Sequence, residues 1–165
     1  MHVKIFFDLQ LEENEQTILK KWQKNILPQI KKSFIGVKCI LKNKSKNLNI
    51  IFIDDKQMTD LNYRYRKKKS PTDILTFNYD EPEMPAEISE SELYISLDTA
   101  FKQAKRNNIP FENEVTILTV HGILHSFGYD HEKSSEDEKK MRLLEEQILK
   151  KLGGKNLTPL ISHEN

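Results

Sequence analysis

Apolar residues recur along this chain with two spacings, one typical of helices and one typical of strands. Steps of three and four residues indicate amphipathic helices, whereas short runs rich in β-branched and aromatic residues indicate strands. The predicted helices cover residues 12–33, 55–66, 97–107, 112–127 and 134–152. The predicted strands cover residues 3–7, 36–41, 48–54, 73–78 and 93–96. Pro28 is expected to bend or end the first helix, because it has no backbone N–H to donate.

The helix predicted over 112–127 differs from the others because it is apolar on almost every side. A helix of this kind is buried in the centre of a domain. Pro110 stands near its start, a position that proline favours. Strands and helices do not alternate regularly, so the expected fold class is α+β, a small mixed β-sheet packed with helices around this central helix.

The chain length suits one domain, because 165 residues can form a single hydrophobic core. We expect this domain to cover residues 1–152 and to be followed by a mobile tail over 153–165. Ser135 and Glu138 fit a capping box at the start of the last helix. The acidic segment 80–91 contains two prolines and is expected to be an exposed loop.

The amino-acid composition says more about the cellular location of the protein than about its activity. The formal net charge is +1, so binding to a polyanion would depend on a local patch. Cys39 is the only cysteine, which excludes an intramolecular disulfide and a thiolate metal cluster and suits the reducing cytoplasm. The apolar stretch at the N-terminus is too short for a signal peptide, and no run is long enough to cross a membrane. A cytoplasmic protein with no membrane contact is therefore expected.

Three of the five histidines lie close together, in the sequence HGILHSFGYDH over residues 121–131. His121 and His125 are one turn apart on a helix and project from the same face. Gly128 can adopt the left-handed conformation that ends a helix, so the chain can turn back and bring His131 to the other two. Three imidazoles that leave a fourth position open are typical of a catalytic zinc site, although nickel, copper and iron also accept such ligands.

The spacing of these histidines and of the glycine matches the long zinc-peptidase motif HExxHxxGxxH. One position differs. The peptidase motif has its general base, a glutamate, directly after the first histidine, where this chain has Gly122. Loss of a general base lowers a rate by about 10²–10⁴. The sequence therefore indicates a metal-dependent hydrolase and argues against ordinary peptide hydrolysis.

A second chemical feature is the basic run RYRKKK over residues 64–69. Arginine forms bidentate contacts with phosphate and stabilises its charge, and rows of lysine attract a nucleic-acid backbone. Charge runs are also common in solvated loops. From the residues alone, contact with phosphate or RNA and plain solvation explain this run equally well.

Residues 121–131 match, throughout, the H-G-x-L-H-x-x-G-Y-D-H signature of the YbeY family of bacterial rRNA maturation factors. Leu61-Asn62 with Arg66, followed by PTDILTF over 71–77, resembles the family's L-N-x-x-x-R and P-T-D-V-L-S-F stretches. Ile95-Ser96 and a pattern on the last helix, formed by Met141, Glu145, Ile148 and Leu149, also resemble the family, so the resemblance covers roughly residues 61–152. The chain departs from the family at Lys67, which replaces a loop glycine, and at Ser91-Glu92-Leu93, where the family has G-D-I.

The resemblance implies a zinc-hydrolase-like fold in which His121, His125 and His131 bind one zinc ion and Arg66 is a catalytic residue in the cleft. It implies a single-strand-specific endoribonuclease that matures the 3′ end of 16S rRNA and takes part in ribosome quality control. The implied partners are single-stranded rRNA and the ribosome or its proteins. Two alternatives stay open, a non-catalytic ribosome-associated factor that binds metal and RNA, and, more distantly, a metallopeptidase.

Such a site predicts two routes for RNA cleavage, attack by an activated water or attack by the RNA's own 2′-hydroxyl. Lys67, Lys68 and Lys69 are expected to contact the RNA backbone. Glu132 is either a proton carrier or a surface residue. The sequence leaves the general base, the cleavage site and the oligomeric state undefined.

Overall fold

The computed structural model describes residues 1–35, 45–79, 88–131, 133–153 and 157–159. The strands in these ranges are β1 (His2–Phe7), β2 (Ser45–Ile53), β3 (Ile74–Tyr79) and β4 (Ile88–Ser96). The helices in these ranges are α1 (Glu13–Asn25), α2 (Leu27–Ile35), α3 (Asp55–Arg66), α4 (Leu97–Asn107), α5 (Phe111–Ser126) and α6 (Ser135–Leu152).

The four strands form one mixed sheet in the order β1-β2-β4-β3. β1, β2 and β4 run parallel, whereas β3 lies antiparallel to β4 and forms one edge of the sheet. Helices pack around this sheet without regular alternation along the chain. The predicted α+β class with a small mixed sheet is confirmed.

Helix α5 occupies the centre of the core and contacts both β3 and β4. Helices α1, α4 and α6 pack against its other sides. Trp22 on α1 is almost fully buried and donates a hydrogen bond from Nε1 to Oγ1 of Thr116, at 2.9 Å. The predicted central buried helix is therefore present, and its C-terminal turn carries His121 and His125.

Gly122 lies where α5 packs closely against the sheet. A Cβ atom added there would lie 2.5 Å from Cδ1 of Ile74 and 2.6 Å from Cδ2 of Leu93. Any larger residue would push these side chains of β3 and β4 out of place, because core atoms are close-packed. The glycine thus allows the helix to lie directly on the sheet.

The predicted helix over 12–33 is two helices. α1 ends at Asn25, Ile26 forms its C-cap, and α2 begins at Leu27. Pro28 therefore lies in the first turn of α2, where its missing N–H has no intrahelical partner to lose. The proline separates the two helices instead of bending one.

Strand β4 is longer than predicted, because it begins at Ile88 and not at 93. The predicted loop over 80–91 is therefore wrong for its last four residues, while residues 80–87 lie outside the described ranges. Ser89 and Ser91 are buried, whereas Glu90 between them is exposed. Their hydroxyls are satisfied by side chains of neighbouring strands, since Lys46 donates to Ser89 and Ser91 donates to Asn78. Small hydroxyl residues here occupy positions that apolar residues fill elsewhere in the sheet.

The last helix is capped one residue earlier than predicted. Ser134 is the N-cap, and its hydroxyl accepts a hydrogen bond from the backbone N–H of Asp137. The capping box expected from Ser135 and Glu138 is therefore wrong, because Ser135 is already helical.

Two further sequence predictions fall on segments that lie wholly or partly outside the described ranges. The strand predicted over 36–41 lies outside the described ranges. In the segment predicted to be a mobile tail, Leu157 packs against the core and Pro159 is buried. None of the helices in the described part of the chain combines the length and apolar content needed to cross a bilayer.

Glu114 places a carboxyl group inside the core, two helical turns before His121 on α5. It is 1% exposed, and neither oxygen has a hydrogen-bond partner among the described residues. Burial, together with the negative charge of Asp73, raises the pKa of Glu114 to about 7 although Arg106 acts in the opposite direction. The protonated form is therefore favoured by folding.

This raised pKa predicts that stability falls with increasing pH. Below pH 4.5 the carboxyl is protonated in both states, and between about pH 4.5 and 7 only the unfolded chain releases the proton. We expect wild type to lose about 3 kcal/mol relative to Glu114→Gln over this interval, measured by urea unfolding. Glu112→Gln, on the exposed side of the same turn, retains Glu114, so its stability relative to wild type should not change over this interval. A stability difference between wild type and Glu114→Gln that does not change with pH would contradict the raised pKa of Glu114.

Candidate metal centre

The last turns of α5 bring two histidines together. His121 is buried and His125 is half-buried, and their Nε2 atoms lie 3.1 Å apart. The rings are tilted at 71° with centroids 4.7 Å apart, so both nitrogens face a common point. This is the arrangement that the spacing of four residues predicts.

The turn after α5 adds the third histidine. Gly128 has a φ angle of +89°, in the left-handed region, and the N–H of Tyr129 donates back to the carbonyl of Leu124 at 3.2 Å. The chain consequently reverses, and the ring of His131 lies 5.2 Å from that of His121. The role predicted for Gly128 is confirmed by its geometry.

The three histidines offer ligand atoms that all lie within 4.8 Å of one another, a set that could hold a metal ion. Burial lowers the pKa of His125 to about 4, with further contributions from His121 and His131. A neutral imidazole has the lone pair that a metal needs. Three imidazole nitrogen donors beside a cleft fit zinc, which accepts three protein ligands and leaves one position free.

A buried carboxylate lies behind this centre. Nδ1 of His121 is 3.2 Å from Oε1 of Glu145 on α6, and both side chains are buried. The resemblance to the family included Glu145 only as one position in a pattern on the last helix. A sequence signal was available, because this glutamate interrupts the apolar stripe of α6 formed by Met141, Leu144, Ile148 and Leu149.

The histidines open into a cleft of about 420 Å³. Its walls are the edge strand β3, the C-terminal end of α3 and the turn after α5. The lining includes Arg66, Lys68, Thr72, Thr76, Asn78, Tyr129, Asp130 and Lys133. Tyr129 and Asp130 belong to the histidine-containing segment 121–131, while Thr76, Asn78 and Lys133 are wall residues that the sequence did not single out.

Arg66 is the last residue of α3 and reaches the same cleft as the histidines. Its side chain is exposed and forms no ion pair or hydrogen bond with any residue in the described ranges. An arginine without a carboxylate partner retains all its donors for a bound anion. The structure therefore brings the predicted catalytic residue and the predicted metal ligands to one cleft.

The three lysines after Arg66 are placed differently from one another. Only Lys68 lines the cleft. Lys67 and Lys69 each place Nζ within 6 Å of the ring centroid of Tyr63, at 5.9 and 5.8 Å. Lys67 is the C-cap of α3 and has a left-handed φ of 60°, a conformation that glycine adopts more readily. The departure from the family pattern at this position thus keeps the turn and adds a positive charge.

Gly122 also bears on the peptidase alternative. The Cβ atom of any side chain at this position would press against the side chains of Ile74 and Leu93, where α5 contacts the sheet. The centre therefore has no general base at the position where the peptidase motif supplies one. Glu132, the other base considered from the sequence, lies outside the described ranges.

Comparisons with known proteins agree with this geometry. The family model described as Endoribonuclease YbeY matches residues 8–153. A protein of that name from Thermodesulfovibrio yellowstonii is 39% identical over 149 residues, which cover 84% of this chain and 94% of the relative. Another of that name, from Aquifex aeolicus, is 46% identical over 105 residues, which cover 64% of this chain and 69% of the relative.

A solved structure shares the fold. The solution structure of TM1509 from Thermotoga maritima matches with a TM-score of 0.51 and 24% identity, over 93% of this chain and 97% of the other. This likeness concerns the fold. The match of the family model over residues 8–153, together with the 39% identity to the Thermodesulfovibrio yellowstonii relative, shows that the chain belongs to the Endoribonuclease YbeY family.

Proposed function

We propose that this protein is a zinc-dependent, single-strand-specific endoribonuclease that matures the 3′ end of 16S rRNA and takes part in ribosome quality control. Membership of the Endoribonuclease YbeY family supports an endoribonuclease role in rRNA processing. The observation that carries the proposal is the cleft itself, in which three converging histidines lie beside an arginine that has no partner among the described residues.

In this proposal, His121, His125 and His131 hold the zinc ion. Zinc bound there would supply Lewis-acid activation of a nucleophile and of the phosphoryl oxygen. His125 binds as a neutral ligand at neutral pH because burial lowers its pKa. No acidic side chain is among the three proposed ligands, so the site carries less negative charge than a carboxylate-rich one and repels a phosphodiester less.

In this proposal, Arg66 binds the phosphate group at which the RNA is cleaved. Its guanidinium can donate two parallel hydrogen bonds to phosphate oxygens and neutralise the charge that grows as the phosphorus becomes pentacoordinate. Lys68 lies in the same cleft and would hold the adjoining backbone phosphate. Lys67 and Lys69, which flank Lys68 in the chain and lie beside Tyr63, would guide the single strand towards the cleft.

Two nucleophiles fit the cleft, a water molecule and the 2′-hydroxyl of the RNA itself. A substrate with one 2′-deoxy nucleotide at the scissile position separates them. It remains cleavable if water attacks and becomes resistant if the 2′-hydroxyl attacks.

The proposal also concerns where the protein acts and how its RNA substrate is presented to it. The catalytic unit would be one domain over residues 1–152, acting in the cytoplasm on ribosomal RNA. Ribosomal proteins or the ribosome itself would present the single-stranded segment. The near-neutral net charge makes such presentation useful, because the chain has no strong overall field to attract RNA from a distance.

The test is a paired assay on purified protein, with metal content measured by elemental analysis and cleavage measured on labelled single-stranded RNA. About one zinc ion per chain is expected, with cleavage of single-stranded RNA and none of the matching duplex or of casein. Metal and RNA binding without turnover would favour the non-catalytic ribosome factor. Casein cleavage by the zinc-loaded protein would favour the metallopeptidase.

A further inference from the structure

Glu145 places a carboxylate inside the hydrophobic core, directly behind the candidate metal centre. It is 0% exposed, and its neighbours on the same face of α6 are the buried apolar side chains of that helix. A charged side chain is rarely placed so deeply unless a specific partner holds it there, because removing the charge from water is costly. The chemistry of that partner therefore indicates what Glu145 does.

The partner of Glu145 is His121, whose Nδ1 lies 3.2 Å from Oε1 of the carboxylate. An ionised Glu145 can only accept a hydrogen bond, and in that case Nδ1 of His121 carries the proton and donates it. The Nε2 atom of a neutral imidazole is then left with a free lone pair. Nε2 is also the atom of His121 that lies 3.1 Å from His125. The contact with Glu145 thus selects the tautomer whose lone pair faces the three-histidine centre.

Only one of the two carboxylate oxygens of Glu145 has a hydrogen-bond partner among the described residues. Oε2 of Glu145 is buried and has no hydrogen-bond partner among the described residues. A buried carboxylate with a single donor is destabilising. A cation on the far side of the imidazole ring would offset this cost, because it polarises the ring and strengthens the Nδ1–H donor. The arrangement suits a metal-bound state better than a simple ion pair between helices.

We infer that Glu145 is a positioning residue, which holds His121 in the tautomer and orientation required for metal binding. The inference rests on the proposed function, since it requires that the three-histidine centre binds a metal ion. It assigns a reason for the placement of α6 against α5, namely to bring a carboxylate to the buried side of His121.

The substitution Glu145→Gln tests this inference, with Glu146→Gln as the matched control. Glu146 is the next residue of α6, is exposed and forms only a distant ion pair with Arg142, at 3.9 Å. Zinc affinity is measured by competition with a chelator. Glu145→Gln is expected to weaken zinc binding by about 10- to 100-fold, the range found for residues that support a metal ligand, and Glu146→Gln is expected to leave it unchanged.

Nitrogen-15 NMR of the histidine rings in the metal-free protein gives a second, independent measurement. Wild type is expected to show His121 protonated at Nδ1, whereas Glu145→Gln should show a mixture of tautomers. Circular dichroism checks the fold, and Glu145→Asp, which keeps the charge but shortens the reach, replaces the glutamine variant if that variant does not fold.

A purely structural role for Glu145 predicts a different result. The variant would then lose stability while zinc affinity stayed within about twofold of wild type, and this outcome would overturn the inference. If wild type itself binds no zinc, the proposed function fails and the inference fails with it. If wild type binds zinc and Glu145→Gln binds it equally well, only the inference fails.

Discussion

Replacing Arg66 with alanine is expected to lower the rate of RNA cleavage by about two to three orders of magnitude while zinc stays bound. The guanidinium lies in the cleft with the histidines and has no partner in the described ranges, so its donors are available to the phosphate. Its loss removes stabilisation of the transition state and leaves the three proposed metal ligands untouched. The measurement is single-turnover cleavage of a labelled single-stranded RNA, together with zinc content.

Arg64→Ala is the matched control for this substitution. Arg64 is exposed on the same helix but does not line the cleft, so the same charge is removed and cleavage should change little. Arg66→Lys should recover only part of the rate, because an ammonium cannot form the bidentate contact. Loss of zinc from Arg66→Ala would show that the arginine supports the fold of the centre and would contradict its role on the phosphate.

Replacing His125 with alanine is expected to abolish both zinc binding and cleavage. Two of the three proposed ligands remain in this variant, one fewer than the three protein ligands of catalytic zinc sites. The Nε2 atom of His125 lies 3.1 Å from that of His121, so the substitution removes a ligand atom adjacent to the other two. Zinc content should fall from about one per chain to near zero, and cleavage should fall to the background rate.

His2→Ala is the control here, because it removes an exposed histidine on β1 without touching the cleft. Its zinc content and cleavage rate should equal those of wild type. Cleavage that survives in His125→Ala at the wild-type rate would identify a contaminating nuclease. In that case the activity would have to be assigned again, starting from the metal-binding measurement alone.

The candidate centre could be predicted from sequence because its geometry is local. The helical repeat places His121 and His125 on one face, and the one residue type that turns easily into the left-handed region stands at 128. His131 follows within three residues, so no distant part of the chain decides its position. The family resemblance added Arg66, which spacing alone could not have connected to the histidines.

Features that depend on distant residues were not predicted. The first half of β4 alternates serine with charged residues and reads as a loop, yet Lys46 on β2 and Asn78 on β3 supply partners that allow Ser89 and Ser91 to be buried. The partner of Glu145 lies 24 residues away on another helix. In both cases a polar residue becomes a core residue only through a tertiary contact, which periodicity cannot reveal.

The tight contact at Gly122 limits how this scaffold can change its chemistry in evolution or by design. Introducing the glutamate of the zinc peptidases there would displace the side-chain ends of Ile74 and Leu93, because an added Cβ would lie under 3 Å from both. The new base on α5 would therefore have to be accommodated by adjustments of side chains on β3 and β4 as well. Equal histidine spacing is thus not sufficient to turn this centre into a peptidase centre.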